Sequence, residues 1–161
     1  MGVDYTDKAA LMITEYVLVK FFHILIAILA LGTSAGLGIV LEFYGDHPTH
    51  GLFMLRAIER VVAFFVIPGY VLMLVTGLWM MDLSWPFTTK WIQAALALWG
   101  IGIVTLGISL AVLHMQIGLF DTKGPASTSY RRVSLLGRGL GAATGLVVVI
   151  ILYLMVFKPG A

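Results

Sequence analysis

KFFHILIAILALGTSAGLG, residues 20–38, decides how the rest of the chain is read. It is an apolar run of membrane-spanning length that carries one imidazole, His23, in its second turn. On an α-helix, residues three and four apart share a face. His23 is therefore in line with Ala27, Ala30, Ser34 and Gly38, all of them small. Phe22, Leu25, Ile26 and Leu29 cover much of the remaining surface. An ionisable side chain is costly at membrane depth and by default points into a bundle. A face of small residues admits a second helix, or a flat ligand, at close range.

The whole sequence has the same character. Of 161 residues, 60% are hydrophobic and only 11% charged, with mean hydropathy +1.02. Soluble domains carry about a quarter charged residues, so the composition excludes a soluble core. It predicts a single all-α domain, an integral membrane four-helix bundle over residues 1–161. The spans are expected at about 16–41, 55–81, 90–117 and 135–157, each long enough to cross a hydrocarbon slab of about 30 Å. Thr6 or Asp7 is the expected cap of the lead-in. Pro68 falls mid-span, where a kink is expected. MDLSWPFTTK (81–90) and FDTKGPASTSYRR (120–132) read as loops, with Trp79, Trp85 and Trp91 bunched like an interfacial belt. The first apolar run is longer than a signal-peptide core and lacks a clean cleavage site, so it reads as a retained span.

Arg56, Arg60, Lys123, Arg131, Arg132 and Arg138 flank the first and third connections, against Lys8, Lys20, Lys90 and Lys158 on the other side. The positive-inside rule makes the arginine-rich end cytoplasmic and places both termini on the opposite, periplasmic side. A net charge of +2 is too small and scattered for nucleic acid. Lipid phosphates are the expected partners of the basic rim, with an anionic substituent such as a porphyrin propionate as the sharper alternative. There is no cysteine, which excludes disulfides and thiolate ligation.

Four histidines are the chemistry-bearing groups: His23, His47, His50 and His114. Haem iron takes axial His or Met, and bundle cores are common haem sites. One iron cannot join His23 to His114, because their helix depths differ by roughly 20–25 Å at 1.5 Å per residue. Two separate depths remain. Near the outer end, His23 and Met73 form a candidate axial pair, with Tyr70 at a similar level. Near the inner end, His114 is level with Glu42, Tyr44, His47 and His50. Beside each ligand reading stands a plainer one: His23 bonded to a carbonyl or hydroxyl in a packed bundle, His114 reaching water, His47 and His50 solvated. Gly100 and Gly107 on the third span, and Gly137, Gly141 and Gly145 on the fourth, read as helix-packing positions.

LVKFFHI (18–24), ERVVAFFVIPGYVLMLVTGLWM (59–80), TTKWI (88–92) and the late His114 resemble the HemJ-type protoporphyrinogen oxidases and the related CopD-like membrane proteins. WPFTTKW (85–91), the YRR at 130–132 and LMVFKPG (154–160) resemble a bacterial four-helix integral membrane family of unknown function. The HemJ resemblance implies His23 as a haem b ligand and Lys90 and His114 as functional polar positions. It implies Pro68 and Thr76-Gly77 as structural. The chain departs from that pattern where Glu42 and Tyr44 stand in place of a histidine closing span one. The resulting expectation is a haem b-binding, cytochrome b-like redox protein of the bacterial inner membrane, an oxidoreductase if an enzyme. His23, Met73, His114, Lys90 and Arg60 are its candidate site residues, with His23 and His114 as metal ligands. The alternatives are a cofactor-free accessory subunit of a larger complex or homo-oligomer, and a transporter or metal-handling protein.

Overall fold

The computed structural model describes the backbone of residues 5–160 and side chains from residue 11 onward. The expected caps Thr6 and Asp7 fall inside a helix that already runs from Tyr5, and their side chains lie outside the described residues. The elements are α1 (Tyr5–Tyr44), α2 (Gly51–Val61), a π-helical turn (Val62–Val66), α3 (Ile67–Ser84), α4 (Lys90–Lys123) and α5 (Thr128–Phe157). α2, the π turn and α3 form one continuous helix, Gly51–Ser84. Four helices are thus long and apolar enough to cross a membrane.

These helices outrun the spans expected from hydropathy. Three have 34 described residues in the spanning segment, about 50 Å at 1.5 Å per residue, against a hydrocarbon core of about 30 Å. Helical hydrogen bonding does not depend on lipid, so it continues beyond the apolar edge until the sequence stops it. FDTKGPASTSYRR is the clearest correction. Its only non-helical part is residues 124–127: Gly124 adopts φ 75° and donates its N–H to Phe120 O at 3.0 Å. The Ser127 hydroxyl then caps α5 by accepting from Tyr130 N at 3.3 Å.

Pro68 follows the π turn by two residues. It has no N–H to donate, and its ring crowds the carbonyl four residues back, that of Phe64. The chain answers with a wider turn, in which Ile67 N–H reaches Val62 O. The expected irregularity at Pro68 therefore takes the form of a π bulge upstream of it.

α1 packs along α3, and α4 along α5; α2 then packs on α4 and joins the two pairs. The main core sits at the arginine-rich end, where Leu55, Ile58, Leu113, Ile117, Phe120 and Tyr130 are buried together. A smaller cluster of Val66, Tyr70 and Leu106 lies nearer the middle. Elsewhere most apolar side chains point outward: in the most apolar stretch of the first and fourth spans only 6% of residues are buried. The interior of this chain does not cover that surface. At the other end Trp79 Nε1 donates to Glu15 at 3.0 Å, while Lys158 Nζ sits 5.0 Å from the Trp85 ring centroid and 5.8 Å from that of Trp91. Both ends of the described chain thus meet the tryptophan cluster at one end of the bundle.

Candidate functional site

His23 is 7% exposed and faces α3. Its Nδ1 lies 2.8 Å from Thr76 Oγ1, and the Met73 carbonyl is within reach of the ring. Thr76 donates its hydroxyl proton back along its own helix, to Leu72 O at 2.8 Å, with Met73 O at 3.2 Å. A threonine hydroxyl has one proton, and with that proton on Leu72 O its oxygen accepts from His23. In the tautomer with Nδ1 protonated, the bond runs from His23 to Thr76 and Nε2 keeps the lone pair. A ligating histidine is usually held through its other nitrogen in this way. An ordinary interhelical hydrogen bond looks the same.

Space separates the two readings. A Cβ on Gly77 would come within 3.3 Å of His23 Cε1, so the ring already lies against the α3 backbone. Two turns away, a Cβ on Gly69 would fall 2.6 Å from Ala30 Cβ. The small-residue face of α1 is therefore occupied by α3 from His23 to Ala30, while Gly38 at its far end meets nothing. Met73 is buried beside His23, but on a helix in direct contact with α1. A macrocycle does not fit between them. The nitrogen chemistry suits an axial ligand, whereas the gap does not, and His23 and Met73 do not straddle a haem here. Tyr70 turns toward α4, with its ring near Gly102, and its buried hydroxyl has no partner among the described residues.

The other candidate residues are far from His23 and from one another. His114 Nδ1 pairs with Glu59 Oε1 at 2.7 Å, with 80% of the histidine side chain exposed. Glu59 and Thr76 lie on the same continuous helix, so the two histidines are about 25 Å apart along it. Arg60 is exposed on α2, and Lys90 is exposed where α4 begins, at the opposite end. His47 and His50 stack at 4.9 Å in the first connection. The His47 Nδ1 accepts from Thr49 N and His50 N. Glu42 turns to Arg138 at 3.2 Å and not to His114. Among the described residues no three His, Cys, Asp or Glu groups come together around a metal-sized space.

Sequence reasoning missed the polar knot at the arginine-rich end. Gln116 Nε2 donates to Tyr130 Oη at 2.9 Å, and that hydroxyl donates to Gly45 O at 2.6 Å. Both side chains are almost fully buried. Beside them Asp46 accepts from Arg138 Nη2 at 2.8 Å and from Ser134 at 3.3 Å. Two helices, α4 and α5, and the first connection are thereby tied at one point. A signal existed: Gln116 interrupts the apolar ladder Leu113, Ile117, Phe120, and a polar residue on such a ladder needs a buried partner.

Four apolar helices joined by short connections, with an ionisable ring held between two of them, define a four-span integral membrane protein. The chain belongs to the family described as a predicted integral membrane protein (DUF2269), whose model matches residues 17–159. No curated protein and no solved structure matches it.

Proposed function

We propose that this chain is an accessory subunit of a membrane assembly, acting through its outward helix faces. The observation that carries the reading is a contrast between its small residues. Those beside His23 are consumed inside the bundle, where Ala30 meets Gly69 and the imidazole meets Gly77. Those on the outside meet nothing. Gly32 and Gly36 on α1, Gly100 and Gly107 on α4, and Gly141 and Gly145 on α5 have no atom within 4 Å of a Cβ built on them. A glycine inside a helix costs about 0.5–1 kcal/mol relative to alanine. In lipid the usual compensation is the close approach of another helix, and these six glycines receive none within the chain. The occupant that suits such a face is a transmembrane helix.

The chain has no cysteine, so single-cysteine variants report cleanly. A Gly141→Cys variant in its native membrane is expected to form a disulfide with a second copy or to be shielded from a lipid-soluble maleimide. Rapid and complete labelling with no cross-link would sink the proposal.

A second reading rests on the Thr76 contact, which with Nδ1 protonated leaves His23 Nε2 as a lone-pair donor. It is the haem b-binding, redox reading that the HemJ-type resemblance implies, in the bacterial inner membrane with the termini periplasmic. His23 would be the ligand from this chain, and the haem would supply the electron chemistry. This reading requires the α1–α3 contact to open. Its test is an absorption spectrum of detergent-purified protein. A Soret band lost in His23→Ala, with helicity unchanged, favours haem over the first reading, and a colourless preparation removes it.

A further inference from the structure

α2 carries a cleft that neither reading uses. Its volume is about 640 Å³, and Thr49, Phe53, Arg56, Ala57, Arg60 and Val61 line it. Leu55 and Ile58 turn into the bundle core, leaving Arg56 and Arg60, one helical turn apart, on the outer face. Phe53 and Phe64 flank them, 69% and 82% exposed. Along the cleft Phe53, the two guanidinium groups and Val61 follow one another toward the membrane centre.

The depth suits a headgroup. The helix from Gly51 to Ser84 has 34 residues and overhangs the hydrocarbon by about 10 Å at each end. The boundary then falls near Ala57, between the two arginines. Their charge is largely unspent. Arg56 reaches only the exposed Asp121, at 3.6 Å, a contact of little worth in water. Arg60 makes no ion pair among the described residues. Arg138, by contrast, is matched by both Glu42 and Asp46.

We infer that this cleft binds the phosphate of an anionic phospholipid, with Arg56 and Arg60 on the phosphate and an acyl chain along Val61 and Phe64. Guanidinium groups hold phosphate oxygens through paired, charge-assisted hydrogen bonds. The apolar flank distinguishes a lipid from a free anion, which gains nothing from Phe64.

The purified chain in neutral detergent is titrated with phosphatidylglycerol, phosphatidylcholine or inorganic phosphate and followed by native mass spectrometry. Phosphatidylglycerol is expected to bind in preference to phosphatidylcholine. The double variant Arg56→Gln/Arg60→Gln is expected to lose roughly 30-fold in that affinity, as two basic residues near an anionic surface imply. Arg131→Gln/Arg132→Gln, with the same charge change elsewhere on the rim, is expected to keep it. Equal losses in both variants would overturn the site in favour of a diffuse basic rim. Displacement of the lipid by an equal concentration of inorganic phosphate would overturn the lipid assignment. If the glutamine variant fails to fold, a wild-type chain with no preference between the two lipids is still decisive against the inference.

Discussion

Thr76 does two things with one hydroxyl: it returns its proton to its own helix and offers its oxygen to His23. Replacing it with valine keeps the shape and removes the hydroxyl, leaving the Met73 carbonyl as the ring's remaining polar neighbour in the α1–α3 contact. Interhelical hydrogen bonds in membranes are worth about 0.6 kcal/mol on average and up to about 2, so Thr76→Val is expected to destabilise the bundle by about that much in denaturant titration from detergent. His23→Leu in the Thr76→Val background is expected to cost little more, since the donor leaves with the ring. If the two effects simply add, the bond is not what holds these helices. Tyr130 is a harsher case. Tyr130→Phe leaves both the Gly45 carbonyl and the Gln116 amide without their partner, and about 1–3 kcal/mol of stability is expected to go with each. Tyr70→Phe provides the opposite control. Its hydroxyl is buried without a partner, so its removal is expected to be neutral or stabilising in the same titration.

At the scale of the element, glycine position decides what a substitution does. Gly69 touches Ala30, whereas Gly32 on the same pair of helices touches nothing. Gly69→Leu is therefore expected to push α1 from α3 and lower the melting temperature sharply, while Gly32→Leu leaves it nearly unchanged. A thermal scan of the two proteins side by side reads the difference. Sequence alone could not separate these positions, because a small residue in an apolar helix looks the same whether it meets a helix or lipid. Depth was legible: the offset between His23 and His114 followed from counting residues. The plainer reading of His23, a ring bonded to a hydroxyl in a packed bundle, has its hydroxyl in Thr76, one turn beyond Met73. Asp82 and Ser84 look like a loop but remain helical, and the apolar edge of a span does not mark its last hydrogen bond. The π turn ahead of Pro68 alters the phase of one span relative to its own beginning, so faces read at 3.6 residues per turn drift beyond it.

For the molecule as a whole, a closed interior is set against an open exterior. The arginine-rich end is locked by the Tyr130 knot, the opposite end is gathered by the tryptophans and Lys158, and α1 is sealed on α3. The chain thus holds its own shape while exposing glycine on α1, α4 and α5. Enlarging the outward glycines of α5 tests whether that exposure is used. In Gly141→Leu/Gly145→Leu a Cβ at either position meets no atom within 4 Å among the described residues, and leucine is the better helix former by about 0.8 kcal/mol per site. The isolated four-helix unit is therefore expected to melt at the same temperature or higher. An assembly formed through this face is expected to lose its partner, because two leucines fill the groove and hold the opposing backbone away. Mass measured in mild detergent reads the second effect, and circular dichroism on heating reads the first. A variant that keeps both its melting temperature and its assembly mass places the functional surface elsewhere, on α1 or α4. A variant that loses both indicates that the outward face of α5 supports the fold itself and not a neighbour.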